Sequence, residues 1–249
     1  MKAPSVQVIS QLAPNGELSA AVYIGNVLLV TGHSSAGDPI GISPDVCASV
    51  ADLLDVKLKL IPCKTQVEVI DAVASGVCGI GLVGADPSRA KGVTFTDAYV
   101  ELEASYLVPS DSPIKGVAQV DQAGVRIASF RNSAYDLWLQ RNLQHASLVH
   151  ADSFAASCTL FKEDRLDALA GLRTSLVKFS KEMTGSRVLD GQFTGIQQAI
   201  AAKNTHTEAI SFLNGCVVEF IRGGLVTALI KRYQVEGLAA PIPKDIGTP

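Results

Sequence analysis

Apolar positions along this chain recur with two different periods, and the two alternate. Short β-branched or apolar runs are followed by stretches of about 10 to 15 residues in which apolar side chains return every three or four positions, a pattern of strands alternating with helices. Residues 17–24, ELSAAVYI, read as a first strand. Residues 44–54, PDVCASVADLL, open with Pro44 and Asp45 where a helix start wants them, and Val46, Val50, Leu53 and Leu54 form one stripe. VKLKLIP (56–62) alternates as a strand does, QVEVIDAVASG (66–76) predicts a second helix closed by Gly76, and CGIGLVG (78–84) predicts a buried strand. Strand, helix, strand, helix, strand is a unit whose crossovers build a parallel sheet.

The alternation starts again near residue 104. Strands are predicted at SYLVP (105–109), VRIASF (125–130), SLVHA (147–151) and DALAGL (167–172). Helices are predicted at AYDLWLQRNL (134–143), FAASCTLFKEDR (154–165) and SLVKFSKEM (175–183). The remainder holds one short apolar run and two long helical patterns with no third sheet to cover, so the economical arrangement returns it to the first lobe. The expected organisation is therefore α/β, with a discontinuous lobe 1 (1–105 plus 192–249) and an inserted lobe 2 (106–191). Two crossings between lobes make a hinge, and a hinge between α/β lobes makes a cleft.

Composition narrows the partners. With 249 residues, 47% of them apolar and 18% charged, the chain buries an ordinary core without staples. A net charge of −3 and the lack of any Lys/Arg cluster exclude a nucleic-acid footprint. The five cysteines (Cys47, Cys63, Cys78, Cys158, Cys216) are scattered, with no CxxC and no Cys/His spacing for zinc, so they read as buried small hydrophobes, and neither metal nor cofactor is called for. Their odd number fits a reducing compartment, and MKAPSVQVISQLAPNGELSAAVYIG holds no apolar block of a signal peptide. Both point to the cytoplasm, with a periplasmic location as the alternative if a leader has been removed; a monomer is expected. No run reaches the ~18–20 apolar residues of a membrane span, so direct membrane insertion is not expected.

The candidate chemistry centres on GADPSRAKGVTFTDAY (84–99), where Arg89 stands between a turn and a Thr-Phe-Thr-Asp-aromatic run. By itself this arginine reads as a surface residue at a helix start, paired with Asp86 or Asp97. Asp97 reads as a cap of the turn before Tyr99. Ser133 in SFRNSAYDL suits a helix N-cap.

Four segments in order carry a resemblance: NGELSAAV (15–22), DPIGISPDVCASVADLLDVKLKLIP (38–62), SRAKGVTFTDAYVE (88–101) and LFKEDRLDALAG (160–171). Together they resemble the bacterial solute-binding proteins of polar-amino-acid ABC transporters, which share a fold with the ligand core of ionotropic glutamate receptors. The resemblance covers nearly the whole chain. It implies a two-lobed periplasmic binding protein-like II fold, with two hinge crossings and a mixed sheet flanked by helices in each lobe. It implies that Arg89 receives a ligand carboxylate bidentately, which the planar guanidinium does better than lysine. It further implies that Asn132, Ser133 and the Ala134 amide form a donor loop at a helix N-terminus, a favourable place for an anion. A permease is the implied partner.

Departures from the family pattern shape the expected ligand. The carboxylates that usually fix an ammonium group are replaced by Tyr23 and Leu172, and an ammonium closed away from water without an anionic partner costs several kcal/mol, on the order of a buried unpaired charge. The expected ligand is therefore a small carboxylate without an α-amino group. Arg173, beside Leu172, either adds a second guanidinium or lies on the outer surface. Gly84 and Asp86 stand where hydroxyl residues commonly line the carboxylate pocket, so Asp86 is placed to neutralise Arg89. Tyr23, Asn26 and Gln192 complete the candidate set, Tyr23 reading equally as a stacking surface or as core packing. No catalytic residue is identified: His33, His145, His150 and His206 miss the matched loops, and no Ser-His-Asp, Walker or HExxH pattern occurs. The runner-up reading is a cytoplasmic enzyme or sensor on the same fold, resembling cyclohexadienyl and arogenate dehydratases.

Overall fold

A computed structural model describes residues 3–235 and 237–241. Two compact units emerge, one formed by Met1–Glu101 with Gln197–Pro249 and the other by Leu102–Ile196. The boundary falls inside two long strands, Val93–Pro109 and Thr194–Lys203, each of which continues through it.

The first unit starts with α1 (Val6–Leu12), capped by Ser5 Oγ on the Val8 amide. There follow β1 (Glu17–Tyr23), the two-residue strands β2 (Gly32–His33) and β3 (Pro39–Ile40), α2 (Ile42–Leu54), β4 (Lys57–Cys63), α3 (Gln66–Ala74), β5 (Ile80–Gly84) and the start of β6 (Val93–Pro109). β1 pairs in parallel with both β4 and β5, as the crossovers predict. Period-2 alternation sorts the side chains between two faces. Leu18, Ala20 and Val22 of β1 join Ile80 and Leu82 of β5 in the larger core with α1 and α2, whereas Ala21 and Val83 turn to the opposite face against Val69, Ile70 and Val73 of α3.

The second unit contains the rest of β6, then β7 (Arg126–Phe130), α4 (Ala134–Asn142), β8 (Ser147–Ala151), α5 (Phe154–Glu163), β9 (Ala168–Leu172), α6 (Arg173–Glu182) and β10 (Ser186–Val188). β7 pairs in parallel with β8 and β9, while β9 and β10 each run antiparallel to β6. Its core gathers Leu107, Ala128, Phe161, Leu166, Leu169 and Leu176. The mixed α/β class expected from the sequence is what both units display.

The chain returns through β11 (Thr194–Lys203), antiparallel to β5, and ends in α7 (Thr207–Arg222), α8 (Leu225–Arg232) and the short β12 (Leu238–Ala239). Leu213, Val217 and Phe220 of α7 and Val226 and Leu229 of α8 complete the larger core of the first unit. Asp45 of α2 ties this tail down by accepting from Arg232 at 3.1 Å and from the Tyr233 hydroxyl at 2.9 Å.

Several local expectations are corrected. α2 starts at Ile42, two residues before Pro44, because the first turn of a helix has no use for its N–H groups and Pro44 is harmless there. β6 extends back to Val93 through the charged stretch that shows no strand pattern. Asp97 consequently lies in a strand rather than a turn: it is exposed, and its amide donates to Asn214 Oδ1 of α7 at 2.8 Å. Tyr99, two residues on, is fully buried with its hydroxyl 2.8 Å from Ser43 Oγ.

Two expectations follow. Gly41, which precedes α2, has φ +148°, and a Cβ there would stand 2.4 Å from the Leu29 carbonyl oxygen and 2.9 Å from the Thr31 nitrogen. Gly41→Ala should cost about 2–4 kcal/mol in a urea unfolding curve, the sum of strain and backbone collision. All five cysteines are buried and unpaired, and burial raises each thiol, Cys78 to about 11 and Cys158 and Cys216 to about 12. The native protein should therefore resist Ellman's reagent at neutral pH, with all five thiols titrating only after denaturation.

Candidate functional site

In open α/β sheets ligands bind at the carboxyl ends of parallel strands. The first unit brings three such ends together, those of β1, β4 and β5. Tyr23 ends β1, Asn26 lies in the turn that follows, and Gly84 ends β5. Beyond Gly84, Pro87–Arg89 form one turn of 3-10 helix. Asp86 caps it, its Oδ1 accepting from the Ser88 amide at 2.9 Å and the Ser88 hydroxyl at 2.7 Å, and Pro87 takes the first helical position.

That turn aims Arg89 back over the strand end, where its Nη1 donates to the Gly84 carbonyl at 2.7 Å. Burial pulls the guanidinium down to about 10, against the negative charge of Asp86, which holds it up. It stays cationic at neutral pH. Tyr23 is raised by its own burial and lowered by Arg89, so phenol, guanidinium and Asp86 share one electrostatic neighbourhood. Gly25, which carries no obvious signal in the sequence, belongs here too: a Cβ on it would fall 2.4 Å from the Tyr23 hydroxyl oxygen, so only glycine lets that ring lie where it does.

The second unit repeats the arrangement with the ends of β7, β8 and β9. After β7 the chain turns through Asn132, at φ +59°, into Ser133 and α4. Ser133 Oγ accepts from the Asp136 amide at 3.2 Å, and Ala134 opens the helix. Leu172 ends β9 and is the N-cap of α6, which Arg173 opens. Arg173 is held within the unit: Nε donates to Glu103 Oε2 at 2.7 Å, and Nη2 donates to the carbonyls of Leu189, at 3.1 Å, and Gly191. Ser105 Oγ donates to the same two carbonyls. Gln192 follows in an exposed loop, next to Phe193, whose ring packs against Tyr106 and Trp138 at 4.4 and 5.4 Å between centroids.

The candidates thus fall into two sets. Tyr23, Asn26, Gly84, Asp86 and Arg89 gather at one strand edge of the first unit, and Asn132, Ser133, Ala134 and Arg173 follow the parallel strands of the second. Asp136 and His150, absent from the sequence-derived set, stand beneath the Asn132 loop. A Ser-x-x-Asp capping pattern announces Asp136, whereas only strand register brings His150 of β8 there. Among the described residues no three of His, Cys, Asp and Glu gather as a metal site.

Residues 30–236 match the family described as bacterial extracellular solute-binding proteins, family 3. The ABC transporter glutamine-binding protein GlnH of Bacillus subtilis is 21% identical over 235 residues, covering 90% of this chain and 84% of that protein. An amino acid ABC transporter substrate-binding protein from Streptococcus pneumoniae, solved bound to L-arginine, superposes with a TM-score of 0.71 at 20% identity, over 92% of this chain and 100% of that one. A reconstructed ancestral amino-acid-binding protein, described as a precursor of cyclohexadienyl dehydratase, superposes at 0.69 with 19% identity, over 90% of this chain and 98% of that one. The fold is that of the two-lobed periplasmic binding proteins, and the chain belongs to family 3 of the bacterial extracellular solute-binding proteins, the polar-amino-acid ABC transporter type.

Proposed function

We propose that the protein is a ligand receptor that closes its two units on a small carboxylate lacking an α-amino group and presents it, as a monomer, to a membrane permease. The observation that carries this reading is Arg89, a half-buried guanidinium that the Pro87–Arg89 turn holds at the carboxyl end of β5 by its bond to the Gly84 carbonyl. Such a group is strengthened as a carboxylate partner by the same burial that lowers its pKa. The donor loop of Asn132, Ser133 and Ala134 meets the anion from the second unit, with Tyr23, Asn26, Gly84, Asp86 and Gln192 lining the rest. Arg173 contributes through Nη1, the guanidinium nitrogen not committed to Glu103 or to the 189–191 segment. Closure is stabilised by the ligand's extra contacts in the closed state. The family's extracellular description favours the periplasmic alternative over the cytoplasmic one suggested by the odd cysteines. A dehydratase-like enzyme rests on fold likeness alone.

A second reading, an α-amino acid, is favoured by one observation. Asp86 is a buried carboxylate in the same electrostatic neighbourhood as Arg89, a group of the charge an ammonium would need there. Relatives carry amino acids: glutamine by name in one, L-arginine in the structure of another.

A thermal-shift screen separates the two. Plain mono- and dicarboxylates, succinate included, should raise the melting temperature, a ligand at 100 times its dissociation constant adding about 2.7 kcal/mol to the folded state. A shift given by α-amino acids and by no plain carboxylate would establish the second reading instead. Arg89→Lys keeps the charge but loses the planar fork. It should weaken the best carboxylate by roughly one to two orders of magnitude in calorimetry, in line with a charge-assisted bond of about 1.5–3 kcal/mol.

A further inference from the structure

Among the buried polar groups of the second unit, Asp136 is fully shielded from solvent and has a job that a helix cap alone does not require. In a capping box the third helical residue reaches back to the N-cap amide. Here the Ser133 amide is already taken by the Phe130 carbonyl at 3.1 Å, and the carboxylate reaches one residue further. Its Oδ2 accepts from the Asn132 amide at 2.9 Å and from Gln140 Nε2 at 2.6 Å. Its Oδ1 lies 3.0 Å from His150 Nε2, a contact off the line of a straight hydrogen bond yet within ion-pair range.

Asn132 is the residue that needs holding. Its φ of +59° lies in the left-handed region, which asparagine tolerates better than most residues but does not prefer. Released from the carboxylate, the Asn132–Ser133 turn can relax toward extended backbone, and the amides entering α4 would no longer converge on one point. An unliganded receptor whose donors are already aligned binds without the entropy of aligning them.

We infer that Asp136 is a positioning residue that fixes the Asn132–Ala134 loop in its ligand-receiving conformation before any ligand arrives, with Gln140 holding the carboxylate in place. The inference rests on the reading of that loop as an anion-binding element. It makes Asp136 a determinant of affinity although the carboxylate itself, fully buried, is closed to the ligand.

Amide hydrogen exchange resolved at Asn132 tests this without a ligand. In the unliganded wild type the Asn132 amide should exchange as slowly as amides inside α4, and exchange at the rate of an exposed turn would overturn the proposal outright. Asp136→Leu should lose that protection while the amides of β7 and α5 keep theirs, and Asp136→Asn, which retains an acceptor oxygen, should restore most of it. Protection unchanged in a folded Asp136→Leu also overturns the proposal. If Asp136→Leu does not fold, the wild-type and Asp136→Asn rates still decide it. Calorimetry with succinate adds the functional arm: affinity should fall about tenfold in Asp136→Leu and recover to within about threefold in Asp136→Asn. Wild-type affinity in a variant that has lost protection overturns the link to binding. Failure of the wild type to bind succinate counts against the carboxylate reading, and exchange at Asn132 then decides the positioning by itself.

Discussion

Parallel pairing is the constraint on which the rest depends. β1 lies between β4 and β5 with all three running the same way, and β7 lies in the same manner between β8 and β9. Parallel strands need helical crossovers, which cover the faces and leave the carboxyl ends for irregular segments. Those segments carry Arg89 in the first unit and the Asn132 turn in the second. Rigid strands fix where each turn starts, and short-range hydrogen bonds fix how it continues: Asp86 to Ser88 after β5, Asp136 to Asn132 after β7.

Charge is managed in the same way in both units. Three ionic groups at the strand ends have partners at hand: Arg89 lies in the field of Asp86, Arg173 is paired with Glu103, and Asp136 accepts from Asn132 and Gln140. Burying a charge without such a counterpart would cost more than these turns contribute. The counterparts also temper the function. A carboxylate next to Arg89 reduces its pull on an incoming anion, so affinity at that edge depends on donor geometry as much as on net charge.

Much of this was legible in the residue pattern, and what was not has physical reasons. β1, β5, β7 and β9 carry apolar runs over the expected residues, since inner strands covered on both faces need apolar side chains, whereas the edge strand β4 shows itself by alternation. The amino-terminal part of β6 was hidden because Asp97 and Glu103 point to water at intervals that break the run. α1 escaped because Val8 and Leu12 are its only buried residues, too few for a stripe. Arg89 stood out through its neighbours in sequence. Gly25 and His150 did not, because their importance comes from a ring folded back over a turn and from the register of two strands.

The return of the chain to its first unit has a consequence for how the molecule comes into being. Residues 102–196 are contiguous and hold their own core, so that part can collapse while a ribosome is still working on the remainder. The earlier-made unit must wait, because α7 and α8 supply side chains to its larger core and are translated after the inserted unit. Until then the apolar faces of β1 and β5 lack their cover. The support beneath Arg89 thus becomes rigid only after the inserted unit has had time to form.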